Sequence, residues 1–363
     1  MRYYDFALVT NAILVSIMVI SEVITLRARY IKWKERRPVL SRKMEYPRIK
    51  DADNKLREAC LKGIDMRYSS NLKEEALNKL EEELSIIRKQ GSASGYVLVN
   101  NALTVVDAKP NEFYMRGTIG STIVSYVLGF TDTDPLTCVP QLYSVFFYGI
   151  NGERHPYFEA FVSTDLQRRL VDFFEHYPED DNVEFRRESD NSLLGVYVGE
   201  LREENKREEG LWDAFYFGMI TSKDFDIIGN NPVEDEISEA CKPNSLAEYV
   251  KCDGLRHGSD TWDDNGDVLF KEKSIPLKDL IACREDVYEY MRDHGITDEM
   301  AYEIAEYVSI GKVRRRGWPE DMSNAMEKAD VPNWYLVSCQ MIGYLFPRAH
   351  FMEWYKTFRP DIV

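Results

Sequence analysis

The sequence predicts an α+β fold from three observations. Residues 52–90 carry apolar positions at helical spacing, residues 141–163 and 193–201 are aromatic and β-prone, and short helical segments succeed one another from Pro232 onward. A nearly all-α chain is the alternative.

The elements justify themselves in order. LREACLKGIDMRY reads as one helix, and NLKEEALNKLEEELSIIRKQG as a second with Leu77, Leu80, Leu84 and Ile87 on one face and Gly91 as its stop. YVLVNNALTVVDA is a third helix with some strand character. Arg116 to Ser121 form a glycine-containing turn that opens an apolar helix, STIVSYVLGF, closed by TDTDP. DLQRRLVDFFEHY starts a helix at Asp165, and LLGVYVGEL is a strand inside the highly charged stretch 179–210. The later helices are PVEDEISEA, SLAEYVKCDG, PLKDLIACREDVYEYMRDHG, TDEMAYEIAEYVSIGK, PEDMSNAMEKA and VPNWYLVSCQMIGYLF. No internal repeat is visible.

The chain has 363 residues, enough for two or three domains of about 100–200 residues each. With 44% hydrophobic and 30% charged residues, disorder over the whole chain is excluded. The formal net charge of -16 makes the protein a poor non-specific binder of nucleic acid, which needs clustered Lys and Arg. The charge fits protein partners better. The six cysteines show no C-x2-C pair and no histidine at zinc spacing, so they read as reduced thiols of a cytoplasmic protein. Residues 6–26 are apolar, with Glu22 as their one charge, and a basic flank follows from Arg27 to Arg37. Two readings stay open there, a buried helix and a membrane anchor. No A-x-A site follows, which argues against a cleaved leader.

Four motifs carry possible chemistry. The Arg116-Gly117-Thr118-Ile119-Gly120-Ser121 turn places amides at a helix start beside an arginine, an arrangement suited to phosphate; its plain reading is a turn. Asp132 and Asp134 are either a metal-binding pair or a helix end with its turn, and the turn is the simpler reading. Gly254 to Trp262, GLRHGSDTW, is a loop dense in polar and aromatic groups, among them His257 and Asp260. Lys312, Arg314, Arg315 and Arg316 end a helix, either stabilising its C-terminus or meeting a nucleic-acid backbone with Trp318 as a stacking platform.

Together these segments resemble the PolC-type α subunit of bacterial DNA polymerase III, a C-family polymerase. GLRHGSDTW is similar to that family's GLSHGTDVW, and IPLKDLIACREDVYEYMRDHGI, VPNWY and FPRAH follow in the family's order. RGTIGSTIVSYVLGFTDTDPL resembles the palm motif that begins RGS-x-G-S and ends N/D-P-L, and PRIKDADNKLREACLKG resembles the palm's leading helices. The resemblance implies an N-terminal helix and connector at 1–50, a reduced nucleotidyltransferase-like palm at 51–228 and mostly helical fingers at 229–363. It makes Arg116, Gly117, Gly120 and Ser121 a candidate triphosphate cradle, and puts His257 and Asp260 near the incoming nucleotide. It implies Mg²⁺, dNTP and primer-template DNA as the ligands of an active enzyme, and replisome proteins as partners.

The chain departs from that family where chemistry is done. The family's catalytic D-x-D falls on Glu159 and Phe161. Glu ligates magnesium, whereas a phenyl ring has no oxygen to offer. The third catalytic Asp has no clear counterpart, with Glu200 as its possible stand-in. The sequence therefore predicts a palm-and-fingers protein that binds nucleotide or primer-template and is defective in synthesis. The alternatives are an active small polymerase and a protein-binding or membrane-tethered regulator of replication.

Overall fold

The computed structural model describes residues 46–177, 183–187, 193–198, 216–221 and 236–362, all within the unit Glu45–Val363. The apolar segment 6–26, Glu200 and most of the charged stretch 179–210 lie outside the described residues.

Three helices open the fold: α1 (Ala52–Arg67), α2 (Lys73–Gln90) and α3 (Ala93–Val105). Leu80, Leu84 and Ile87 of α2 are buried together, the stripe that helical periodicity demands. Gly91 ends α2 at a φ of 68°, a left-handed conformation that strains other residues. The valine-rich third segment is a helix buried along most of its length, so protein on several sides replaces the amphipathic pattern.

Next come β1 (Phe113–Met115), α4 (Ile123–Val127) and α5 (Val145–Tyr148). Gly63 lets α1 meet α4 closely, since a Cβ there would lie 1.9 Å from the carbonyl oxygen of Val127. The TDTDP segment is the predicted turn. Asp134 accepts from Leu136 N at 3.0 Å and from the Thr137 hydroxyl at 2.9 Å, and Asp132 pairs with Arg67 at 3.2 Å.

The sheet is completed by β2 (Phe158–Val162), β3 (Val183–Arg187), β4 (Leu193–Val198) and β5 (Tyr216–Thr221), with α6 (Thr164–Glu175) directly after β2. Strand order is β1-β2-β5-β4-β3. β2 and β5 run parallel and the other neighbouring pairs antiparallel. Helix α6 is capped by Ser163, whose hydroxyl accepts from Leu166 N at 3.1 Å, so the helix begins just before the expected Asp165. Phe158, Ala160 and Val162 share one face of the sheet with Phe217 and Met219, all fully buried in one core with Leu56, Ile64, Tyr96, Leu166 and Leu170. Because strand side chains alternate, Glu159 and Phe161 occupy the opposite face.

The rest is helical: α7 (Glu236–Cys241), α8 (Leu246–His257), α9 (Asp267–Lys271), α10 (Arg284–Asp293), α11 (Asp298–Ser309), α12 (Lys312–Arg316), α13 (Glu320–Lys328), α14 (Asn333–Met341) and α15 (Arg348–Phe358). Two apolar clusters hold it, one around Val287, Ile304, Val308 and Tyr335, the other around Leu255, Trp262, Ala282 and Met352.

Three expectations are corrected. Residues 276–295 are not one helix: Cys283 bridges to Phe346, and Asp286 accepts from the amides of Ala282 and Cys283 at 2.8 and 2.7 Å, so α10 begins only at Arg284. Gly254–His257 is the last turn of α8 and not a loop. Lys312–Arg316 forms its own short helix, because Gly311 at a φ of 63° breaks the chain after α11. The overall α+β class stands. Among the described residues no helix is long and apolar enough to cross a membrane.

Helix α15, which the sequence reading does not anticipate, closes over the Glu159 face. Its Phe358 ring meets Tyr114 of β1 edge-on at 5.7 Å, and Glu353 Cγ lies 3.2 Å from where a Cβ on Gly120 would be. Arg348 anchors its first turn, donating to Asp286 at 2.7 Å, to both oxygens of Glu289 at 2.7 and 2.6 Å, and to the Gln141 carbonyl at 2.7 Å.

Candidate functional site

The site grows from the register of β1 on β2. Tyr114 lies opposite Phe161, and the ladder continues as Arg116 N donates to the Glu159 carbonyl at 2.8 Å. Arg116 and Glu159 therefore stand side by side, and Arg116 Nη1 donates to Glu159 Oε2 at 2.8 Å. The Glu159 side chain is 7% exposed and that of Arg116 37%. The Phe161 ring stacks on Tyr114 at 5.0 Å, and the Arg116 guanidinium lies 5.9 Å from its centroid. On the other side, β5 sets Gly218 beside Glu159 and Ile220 beside Phe161.

Around this core stand His350, Tyr157 and Arg284. His350 lies 6.2 Å from both the Phe161 and Tyr114 rings, and its Nδ1 is buried without a hydrogen-bond partner. Burial pushes its imidazole down to about 4, and the charges of Arg116 and His257 add to this. Tyr157 Oη is 3.5 Å from where a Cβ on Gly117 would sit. Its phenol is raised by lost hydration and by Glu159, against the pull of Arg284 and Arg116. Arg284 shares the Glu306 carboxylate with Arg154, and its Nε is buried and unpartnered.

The glycine turn is mostly packed into the protein. Ser121 is 2% exposed and donates to the Thr118 carbonyl at 2.6 Å, and Thr118 donates to the Phe146 carbonyl at 3.3 Å. Gly117, at a φ of 82°, and Arg116 are the parts beside the Tyr157 phenol. The expected exposed amides at the next helix are occupied: Glu83, 1% exposed, accepts from Ile123 N and Val124 N at 3.1 Å each. The helix start does hold an anion, as its dipole favours, but the anion is the protein's own. Burial pushes Glu83 up to about 7, against those amides, Lys79 and Tyr148.

The remaining predicted residues lie elsewhere in the helical part. His257 is exposed and stacks on Phe351 at 5.8 Å. Asp260 pairs with Arg314, which binds the GLRHGSDTW segment to α12. Lys312 approaches the Tyr307 ring at 6.0 Å, while Arg315 and Arg316 are exposed. Sequence reasoning missed Tyr157, Arg284 and Glu83, and quoted His350 without a role. Glu83 was recoverable, since it falls three residues after Leu80 and four before Ile87 on the apolar face.

The residues present do not fit magnesium. Glu159 is paired with a guanidinium, its partner position carries a phenyl ring, and the flanking strand gives Gly218 and Ile220. Among the described residues no three His, Cys, Asp or Glu side chains converge on one point.

Comparison with known proteins bears on the first half of the described chain. Residues 54–175 match the family described as the bacterial DNA polymerase III alpha NTPase domain. The PolC-type DNA polymerase III of Halalkalibacterium halodurans is 39% identical over 115 residues, covering 32% of this chain and 8% of that protein. The Lacticaseibacillus paracasei protein of the same name is 37% identical over 134 residues, 34% of this chain and 9% of its own. That of Staphylococcus aureus is 36% identical over 126 residues, 35% and 8%. The matched part spans less than a tenth of the length of these relatives. The family match ends at residue 175, before GLRHGSDTW and FPRAH. Over residues 54–175 the chain is similar to the bacterial DNA polymerase III alpha NTPase domain, and part of it is similar to PolC-type DNA polymerase III.

Proposed function

We propose that this protein binds nucleotide or primer-template DNA in the manner of a polymerase palm and fingers and does not extend a primer. In this reading residues 51–228 are the palm, with a nucleotidyltransferase-like sheet, and residues 229–363 the fingers. The observation that carries it is the face of β2: Arg116 pairs with Glu159, and Phe161, at the position that the resemblance aligns with a metal-binding Asp, presents a phenyl ring stacked on Tyr114. Two-metal phosphoryl transfer depends on carboxylates that hold both cations, and a phenyl ring removes much of that electrostatic term. Arg116, Gly117 and Tyr157 supply the nucleotide-facing groups. His257 and the paired Asp260 lie on the helical side, and Arg315 and Arg316 are exposed cations suited to a phosphate backbone.

Primer extension tests the defect. The folded protein, incubated with primer-template and four dNTPs in Mg²⁺ or in Mn²⁺, is expected to add no nucleotide. Extension that disappears in Glu159→Ala would refute the proposal, because it would show that Glu159 recruits a metal in spite of Arg116. Labelled primer-template and dNTP, titrated at low salt, test binding; absence of saturable binding to either removes the reading.

A further inference from the structure

We infer that the protein takes a nucleoside polyphosphate directly on the Arg116 guanidinium beside β1 and β2, with no divalent cation between phosphate and protein. This rests on the nucleotide-binding reading above and departs from what the family implies.

The argument begins with charge. In a metal-dependent site, carboxylates hold the cation and the cation holds the phosphate. Here the position next to Glu159 already contains a cation, since Arg116 Nη1 lies 2.8 Å from Glu159 Oε2. A magnesium ion on the same carboxylate would be pressed against a like charge. It would also need oxygen ligands from Tyr114, Phe161, Gly218 or Ile220, whose side chains offer at most one phenol. The carboxylate instead fixes the guanidinium in place.

The guanidinium keeps the capacity to bind an anion. It carries five N–H donors in a planar fork suited to phosphate. Among the described residues, Glu159 is the acceptor its side chain uses, and more than a third of that side chain is exposed. The arrangement is a guanidinium buttressed from behind, with donors to spare.

A second set of groups supports the same ligand. Arg284 Nε and His350 Nδ1 are buried polar atoms without partners, and such atoms cost stability unless something fills them. Arg284 acts on the Tyr157 phenol, and that phenol stands over Gly117, where no side chain blocks the backbone. Arg284 shares Glu306 with Arg154 and also feels the buried Glu285 carboxylate. Arg116, Arg284 and the Tyr157 hydroxyl are all donors to a polyphosphate, and the Phe161 and Tyr114 rings form an apolar wall beside them.

The test is fluorescence titration of the full chain with a labelled 2′-deoxynucleoside 5′-triphosphate, and competition by inorganic tripolyphosphate. One series contains EDTA and the other millimolar Mg²⁺. Saturable binding in EDTA, unchanged or weakened by Mg²⁺, is expected. Arg116→Gln should weaken it roughly tenfold or more. Arg116→Lys, which keeps the charge but not the planar fork and guards against a folding artefact, should bind more tightly than Arg116→Gln and less tightly than the parent. Phe161→Asp should make binding respond to Mg²⁺. Triphosphate binding that appears only with Mg²⁺ overturns the inference and leaves the nucleotide reading standing. Binding to primer-template with no triphosphate binding in either series also overturns it, while the DNA part of the reading survives. Absence of any binding removes both.

Discussion

Replacing Glu83 with Gln should cost less stability at high pH than at low pH. Glu83 is 1% exposed and accepts two backbone amides of α4, yet burial pushes it from 4.5 up to about 7. A group that binds its proton more tightly in the folded chain favours folding most below its unfolded value. That contribution drains away as pH climbs from about 4.5 through about 7. The shift corresponds to about 3 kcal/mol over the whole window, most of it between about pH 5 and pH 8. Gln does not titrate, so the difference between the two proteins isolates this share. Glu353, which burial also pushes up to about 7, titrates in both proteins and cancels. Urea unfolding followed by intrinsic fluorescence at about pH 5, 6, 7 and 8 gives the difference directly. A difference constant with pH to within about 1 kcal/mol would refute the reasoning, because Glu83 would then titrate alike in both states.

Two further substitutions probe the scaffold. Arg348→Met should destabilise by about 3–5 kcal/mol, because it strands the buried Asp286 carboxylate with Lys251 as its remaining cation; a thermal melt that shifts by less than a degree or two would contradict the anchoring role. Gly63→Ala should cost about 1–3 kcal/mol or more, because the obstruction 1.9 Å away is a backbone carbonyl with little room to yield. Unfolding of the variant at the parent's denaturant midpoint would refute this, because it would show that α1 can move away from α4 to admit a methyl.

The sequence makes some of this architecture legible and hides the rest for physical reasons. The helices of 52–90 and the stop at Gly91 follow from periodicity and from one residue that tolerates a positive φ. The strand holding Glu159 and Phe161 is legible from its aromatic, β-prone composition. β1 and β5 are not, because β1 has only three residues and both are defined by their pairing with β2 more than by their own pattern. The break before Arg284 is set by Cys283 bridging to Phe346, a contact far along the chain. The pairing of Arg116 with Glu159 needs the register of β1 on β2, and so no spacing rule reveals it. The start of α4 reads from sequence as a place for a phosphate, whereas its amides are taken by Glu83, which sits on the apolar face of α2.

Helix α15 makes the site dependent on the order in which the chain comes together. The sheet and its core can close with residues up to Thr221, and their contacts are among neighbours of moderate sequence separation. His350, Glu353 and Phe358 reach Phe161, Gly120 and Tyr114 from the opposite end of the described chain. Closing so long a loop is entropically costly, and it is repaid only once Arg348 has docked on α10. The surface that α15 adds beside Phe161 and Tyr114 is therefore expected to form late in folding and to be lost early when the far end of the chain is loosened. A protease that cuts between α14 and α15 would erase ligand binding while the sheet stays folded.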